Sequence, residues 1–172
     1  NKKFNLKKSE KILCAKYRPG HFEGVLNVMD RLLALIKSKH IFMGEKDFQQ
    51  YFLIKKILGK KYKVNIIGHP IIRDKNKVAL STRNKLLNKK SIYITSCIAK
   101  RLINLKKNFK IKKLKMAIKL LKIKSDFEKK YKVKVDYLEF RDEKNLKLNN
   151  FKSKYRLFIA YYINNIRLID NF

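Results

Sequence analysis

The sequence predicts a doubly wound α/β fold for residues 1–70 and a small α+β domain for residues 71–172. Two observations support this prediction. Helix-like and strand-like segments alternate from residue 22 to residue 67 with short connections, which favours a parallel sheet. After Gly68-His69-Pro70 the pattern changes to lysine-rich helical segments followed by strand-like ones. We therefore place a domain boundary near residue 70.

The first half shows the alternation clearly. Pro19-Gly20 interrupts regular structure, and the next segment has apolar residues at helical spacing: Val25, Met29, Leu32, Leu33 and Ile36. The predicted elements are the end of a helix at 9–16, a loop at 17–21, a helix at 22–37, a strand at 40–43, a helix at 46–58 that stops near Gly59, and a strand at 63–67.

The second half begins with a polar, irregular segment that ends at Leu80-Ser81-Thr82-Arg83-Asn84. Two amphipathic, lysine-rich helices follow, and alternating apolar residues such as Val133, Val135 and Tyr137 then indicate strands. The predicted elements are helices at about 86–107 and 111–131, and strands at 132–140, 155–163 and 165–170.

Composition narrows the function classes. The chain has a net charge of +32, which predicts attraction to polyanions. Lys greatly outnumbers Arg, however, and the lysines are spread along the chain, which argues against a sequence-specific nucleic-acid partner. Ile, Asn, Phe and Tyr, which share AT-rich codons with Lys, are also abundant. A nucleotide-biased genome with a solvated lysine surface and a basic nucleic-acid-binding module both remain open as explanations.

The location is expected to be cytoplasmic, with no membrane partner. No run reaches the ~18 apolar residues of a membrane-spanning helix, and no apolar run of a signal peptide follows the first lysines. Cys14 and Cys97 are isolated thiols, which favours a reducing compartment. His21, His40 and His69 lack the close spacing of a local zinc motif, so structural roles are expected for them.

Gly44-Glu45-Lys46-Asp47-Phe48-Gln49-Gln50 is the strongest local signal. It follows a predicted strand and opens a predicted helix, so a phosphate there would meet backbone N–H groups and the positive end of the helix dipole. Lys46 adds a cation, Asp47 is a possible magnesium ligand, and Gln50 lies one helical turn beyond them. The alternative is a solvated first helical turn, where acidic residues are favoured in any case.

Leu80–Asn84 is a second polar cluster. Ser81 and Thr82 supply hydroxyl groups and Arg83 a planar cation, which suit the oxygens of a triphosphate. The alternative for Ser81-Thr82 is an N-cap for the following helix. Each cluster taken alone supports either interpretation.

The two clusters together resemble the C-terminal part of the pantothenate synthetase (pantoate–β-alanine ligase) family. Arg18-Pro19-Gly20-His21-Phe22-Glu23-Gly24-Val25 is similar to the family's R-P-G-H-F-x-G-V, and Gly44–Gln50 to G-E-K-D-[FY]-Q-Q. Ala79–Asn84 is similar to A-L-S-S-R-N, with Thr82 in place of the usual Ser. Arg167–Asn171 resembles R-L-I-D-N, and Lys77 stands where a Gly is usual. The resemblance extends over essentially the whole chain.

The resemblance implies a Rossmann-like nucleotidyltransferase sheet with a C-terminal lid domain. It also implies an ATP-dependent reaction with Mg²⁺, in which pantoate forms pantoyl adenylate and β-alanine then displaces AMP. Gln50 would bind pantoate, with Arg18 and His21 shaping the pantoate side of the pocket. Met43 would form an apolar wall of the pocket or belong simply to the strand core. Catalytic roles would fall to Lys46, Ser81, Thr82 and Arg83, and ATP would contact Gly44, Glu45, Lys46, Asp47, Ile72, Leu80, Ser81, Thr82 and Arg83.

One family signature has no counterpart in these 172 residues: P-T-M-G-x-L-H-x-G-H, with its His-x-Gly-His group. We therefore expect an exposed edge on the parallel sheet, and no ligase activity from this chain alone. A full-length chain is expected to form a homodimer. The rival hypotheses are the basic nucleic-acid-binding module and a decayed, non-catalytic remnant.

Overall fold

The computed structural model describes residues 4–108, 113–148 and 154–172, and the chain divides into two compact units, Asn1–Ile71 and Ile72–Phe172. The first unit contains a parallel sheet and the second an antiparallel sheet. The α/β fold class predicted from the sequence is thus present. Among the described residues, no helix is both long and apolar enough to cross a membrane.

The first unit is built around two parallel strands, β1 (His40–Gly44) and β2 (Asn65–His69). The connection between them contains α3 (Phe48–Ile54) and α4 (Lys60–Tyr62), and it packs on the strands through Leu53, Ile54 and Leu58, which are 0–2% exposed, as is Ile66 of β2. Helices α1 (Cys14–Tyr17) and α2 (His21–Leu35) precede β1. Within the described residues each strand has one partner, so each has one open edge.

The predicted helix end near Gly59 is wrong. After α3 the chain continues through a π-helical turn at Lys55–Gly59 into α4, and it leaves the helix at Lys63, which has the left-handed φ of 50°. Gly59 lies inside this helical segment. A Cβ on Gly59 would lie 3.5 Å from both Ile66 Cγ1 and the Val64 carbonyl oxygen, an ordinary van der Waals distance, so packing against β2 does not require glycine at this position.

The apolar spacing of α2 predicted some of its buried residues correctly and others wrongly. Leu33 is buried, as are Phe22 and Leu26, but Leu32 is 43% exposed and Ile36 is 57% exposed. Three-and-four spacing fits more than one stripe on an apolar-rich helix, and packing against the rest of the unit selects the stripe through Phe22 and Leu26.

The second unit is a three-stranded antiparallel sheet with helices packed on it. The strand order is β3 (Lys134–Asp142), β4 (Tyr155–Ile163), β5 (Ile166–Asn171), and the helices are α5 (Lys89–Lys107) and α6 (Lys113–Tyr131). Asn88 begins α5 by accepting a hydrogen bond from the Ser91 N–H at 2.9 Å. The core combines helix and strand residues, including Leu102, Phe127, Leu157 and Ile159, all 0% exposed.

Candidate functional site

The carboxyl ends of β1 and β2 lie side by side, because Gly44 pairs with His69 in the parallel register. The rings of Phe42 and His69 are 5.9 Å apart at this end of the sheet. In open α/β sheets ligands bind beyond the carboxyl ends of the strands. The predicted Gly44–Gln50 cluster starts at this position.

Gly44 is followed by a 3₁₀ turn at Glu45–Asp47 and then directly by α3. Lys46 and Gln50 are half-buried, while Gly44 and Asp47 are exposed. Glu45 lies against Gly68 of β2. A Cβ on Gly68 would approach Glu45 Oε1 to 2.8 Å, so a side chain there would make the Glu45 carboxylate move from its place beside the strand.

The buried side chain of Gln49 fixes the position of the Gly44–Gln50 cluster through two hydrogen bonds. Its side chain is 6% exposed, and Nε2 donates to the Ile12 carbonyl at 2.7 Å and to the Glu10 carbonyl at 3.4 Å. These bonds connect the start of α3 to the segment before α1, 37 and 39 residues earlier. The neighbouring Gln50 therefore projects from a helical turn whose position is fixed by a buried amide.

Glu10 strengthens the same anchor. Lys56 Nζ lies 2.8 Å from Glu10 Oε1, and the Lys7 N–H donates to Oε2 at 2.9 Å. Burial raises the pKa of Glu10, but the hydrogen bonds from Lys56 and Lys7 outweigh it, so the pKa lies below its ordinary value. The carboxylate is thus held ionised next to the segment that Gln49 binds.

The Arg18-Pro19-Gly20-His21 segment forms a turn that starts α2. Gly20 has φ 77°, which glycine adopts without strain, and the His21 N–H donates to the Arg18 carbonyl at 3.2 Å. Arg18 and His21 are both half-buried, and the His21 ring lies 5.0 Å from that of Phe22. The turn is therefore fixed by glycine geometry and by packing of the first residues of α2.

In the second unit, residues 72–80 form a tight antiparallel turn. The Leu80 N–H donates to the Ile72 carbonyl at 3.0 Å, and Asp74 Oδ1 accepts from the N–H groups of Asn76 and Val78 at 2.9 Å each. Ile72 and Leu80 are 71% and 54% exposed. The turn therefore presents two apolar side chains to the surroundings next to the second polar cluster.

Ser81-Thr82-Arg83 opens a 3₁₀ helix at Thr82–Leu86. Ser81 Oγ accepts a hydrogen bond from the Arg83 N–H at 3.3 Å, so Ser81 is the N-cap of this short helix and not of α5. Arg83 Nη1 donates to the Arg167 carbonyl at 3.1 Å. Thr82 and Arg83 are exposed. The capping interpretation of Ser81 is therefore correct for the 3₁₀ helix, and it leaves the hydroxyl able to take part in further hydrogen bonds.

The structure groups the predicted residues into two sets. Residues 44–50 lie together at the strand end of the first unit, and residues 72 and 80–83 lie together in the second unit. No group of three or more His, Cys, Asp or Glu side chains suited to a metal ion occurs in the described part of the chain. The exposed Asp47 could therefore contribute one carboxylate to Mg²⁺, and phosphate oxygens and water would supply the rest.

Two contributors were missed from the sequence. Gln49 belongs to the Gly44–Gln50 motif, but motif spacing does not reveal that its side chain is buried. Arg73 forms a two-pronged ion pair with Asp170, at 2.7 and 2.9 Å, and also donates to the Asn171 carbonyl at 2.9 Å. This pair connects the start of the second unit to its last strand, a separation of 97 residues that no local pattern reveals.

The family model for pantoate-beta-alanine ligase matches residues 2–172. The chain belongs to this family. Its sequence is 37% identical over 160 residues to the pantothenate synthetase of Flavobacterium psychrophilum, an alignment that covers 91% of this chain and 56% of that relative. The resemblance inferred from the four motifs is thereby confirmed.

Solved structures of the family agree in fold. The pantoate-beta-alanine ligase of Francisella tularensis, crystallised with beta-gamma ATP and beta-alanine, superposes with a TM-score of 0.75 and 33% identity, covering 98% of this chain and 56% of that one. The pantothenate synthetase of Thermus thermophilus gives a TM-score of 0.81 at 22% identity, covering 100% of this chain and 63% of that one, and shows the likeness of fold alone. The chain thus spans a little over half the length of these relatives.

Proposed function

We propose that this chain contributes part of the site of an ATP-dependent ligase that joins pantoate to β-alanine. The observation that carries the proposal is the Gly44–Gln50 turn, which lies at the carboxyl ends of two parallel strands in a member of this ligase family. In the proposed reaction the pantoate carboxylate attacks the α-phosphorus of ATP, giving pantoyl adenylate and pyrophosphate. The amine of β-alanine then attacks the acyl carbon and AMP leaves.

Residues 1–70 form the nucleotide-binding part in this proposal. Gly44 and Glu45 border the nucleotide, and the Lys46 ammonium neutralises phosphate charge as it develops. The Gln50 amide donates to and accepts from pantoate, oriented by the buried Gln49 beside it. Mg²⁺, when bound, would offset triphosphate charge, and Asp47 is the residue of this turn placed to hold it.

Residues 71–172 form the lid in this proposal. Ser81 and Thr82 direct hydroxyl groups, and Arg83 a guanidinium, toward phosphate oxygens. Leu80, at 54% exposure, and Ile72, at 71%, provide apolar surface that would exclude water from the acyl adenylate. Arg18 and His21 shape the pantoate side. The full-length protein is proposed to be a cytoplasmic homodimer.

The chain alone is proposed to lack ligase activity, since the relatives extend well beyond the part that it matches. The test is AMP release from ATP, pantoate, β-alanine and Mg²⁺, followed with the purified 172-residue chain. We expect no release above the enzyme-free background. Pantoate-dependent AMP release by this chain would contradict the claim and show that its own residues complete the site.

A further inference from the structure

A basic cavity of about 670 Å³ lies within the second unit, and none of its lining residues is among those assigned to ATP and pantoate. Its lining includes Arg73, Lys77, Lys100, Lys106, Lys107 and the C-terminal Phe172. No Asp or Glu side chain belongs to the lining among the residues that the structure describes, but Phe172 carries the terminal carboxylate and Asp170 neutralises Arg73. Four lysine ammonium groups remain around one cavity and repel each other, so an anion that enters relieves this repulsion.

The arginine of the cavity is already engaged. Arg73 is paired with Asp170, and its guanidinium lies 4.6 Å from the centre of the Phe172 ring. An arginine can read the edge of a nucleobase and an aromatic ring can stack on its face. Here the Arg73 guanidinium and the Phe172 ring contact each other instead. Binding in this cavity is therefore left to the lysines, which act as point charges for phosphate oxygens.

Lys106 is the most enclosed of these lysines. Its Nζ donates to the Tyr155 carbonyl and lies 3.9 Å from the centre of the Tyr155 ring. Burial lowers the pKa of Lys106, the charge of Glu143 raises it, and that of Arg156 lowers it further, with a net fall. A bound anion would stabilise the charged form of this partly desolvated ammonium.

Lys77 is held in an unfavourable backbone conformation at the same cavity. Its φ is 69°, in the left-handed region, which is unfavourable for a residue with a side chain. The Lys77 N–H donates to the Asp74 carbonyl at 2.9 Å, and its own carbonyl accepts from Arg73 Nη1 at 3.0 Å, so the turn fixes this conformation. Glycine would satisfy the turn with less strain, whereas lysine adds a cation to the lining.

We propose that this cavity binds a short oligophosphate group, through Lys77, Lys100, Lys106 and Lys107. The volume falls within the range of small-molecule sites, about 300–1,000 Å³. Lys100, Lys77 and Lys107 are exposed or half-exposed ammonium groups with no acidic partner among the described residues, so their charges are available to the ligand. This site is separate from the proposed ligase function, because it shares no residue with the ATP and pantoate assignments.

The test uses the whole 172-residue chain and inorganic tripolyphosphate in isothermal titration at low ionic strength. Lys77→Gly removes one cation of the lining and relieves the positive φ. Lys132→Gly is the matched control, because Lys132 also has a positive φ, 53°, is exposed and lies outside the lining. We expect Lys77→Gly to weaken binding about fivefold or more and Lys132→Gly to change it less than twofold.

A second variant, Lys100→Gln, keeps the test independent of the turn and is expected to weaken binding by a similar factor. Both variants should leave the midpoint of thermal unfolding unchanged or higher. Equal affinities for Lys77→Gly, Lys100→Gln and Lys132→Gly would overturn the proposal. So would binding lost on Lys46→Gln or Arg83→Gln but kept in Lys77→Gly, which would place the ligand at the proposed ATP residues and leave the ligase proposal intact.

A competition experiment with nucleic acid distinguishes a free oligophosphate from a nucleic-acid backbone as the ligand of this cavity. A single-stranded DNA oligonucleotide should compete with tripolyphosphate weakly and without preference among sequences. If the oligonucleotide binds more tightly than tripolyphosphate, and Lys77→Gly weakens it equally, the surface is a nucleic-acid interface and the small-ligand proposal is wrong.

Discussion

Strands β1 and β4 differ in how many of their residues are buried by the part of the chain that the structure describes. β4 has six buried residues among its nine, with Leu157, Ile159 and Ala160 at 0% exposure. β1 has none among its five, and Phe42 is 64% exposed. The difference is informative because parallel sheets are normally covered on both faces, whereas antiparallel ones tolerate solvent on one face.

The second unit therefore resembles a domain with a complete core, while the parallel sheet of the first unit is only partly covered by the described residues. Exposed apolar residues on α2 and just after it, Val28, Leu32, Leu35 and Ile36, add to this surface. The structures of relatives continue well beyond the part that this chain matches. The contrast between the two strands predicts different losses in the free energy of unfolding for matched substitutions.

The largest effect is expected in the core of the second unit. Ile159→Ala removes a fully buried side chain from the central strand and should lower the free energy of unfolding by about 3 kcal/mol. Phe42→Ala on β1 is the matched change and should cost about 0.5 kcal/mol or less, since that ring is mostly exposed. Urea unfolding followed by circular dichroism measures both. Equal losses would contradict the contrast between the strands.

A smaller loss should follow from breaking the Arg73–Asp170 pair. Arg73→Met leaves the Asp170 carboxylate, whose side chain is 12% exposed, without its two-pronged partner, which should cost about 2–3 kcal/mol. The control is Arg101→Met, because the Arg101–Asp126 pair is 41% and 39% exposed and should contribute about 0.5 kcal/mol. Chemical unfolding compares the two variants. A control loss as large as that of Arg73→Met would show that burial does not decide the effect.

The smallest effect concerns Glu10 and depends on pH. Because the pKa of Glu10 is lower in the folded state, its stabilisation is complete above the unfolded pKa and is lost as the pH falls through the folded pKa. Glu10→Gln should thus lower the free energy of unfolding by about 1 kcal/mol near neutral pH, and the deficit should shrink as the pH falls below the carboxylate range. A deficit that grows on acidification would have the wrong sign.

Local patterns predicted much of the fold. Three strands of the second unit were expected at 132–140, 155–163 and 165–170, and they lie at Lys134–Asp142, Tyr155–Ile163 and Ile166–Asn171. Alternation of Val133, Val135 and Tyr137 indicated the first of these strands. In β4, by contrast, Leu157–Tyr161 are all buried, so that strand is covered on both faces and does not show the alternation. Gly59 was misjudged, since a glycine inside a helical segment has the same sequence signature as one that ends a helix.

The sequence predicted only those parts of the candidate site whose residues are consecutive along the chain. Gly44–Gln50 lies at a strand end as expected, because the strand, turn and helix are consecutive in sequence. Gln49 and Arg73 depend on contacts across 37 and 97 residues, and the basic cavity gathers lysines from a turn and a helix around Phe172. Long-range packing determines such contacts, and a single sequence does not reveal it.

The central proposal is that the Gly44–Gln50 turn forms part of the ATP site of a pantoate–β-alanine ligase. The direct measurement is pantoate-dependent AMP release from a fusion that joins this chain to the part of the Flavobacterium psychrophilum relative lying outside the match. We predict activity in the fusion, a loss of about 100-fold or more in Lys46→Gln, and little change in Lys60→Gln, on the exposed α4. Full activity in the Lys46→Gln fusion would contradict the claim.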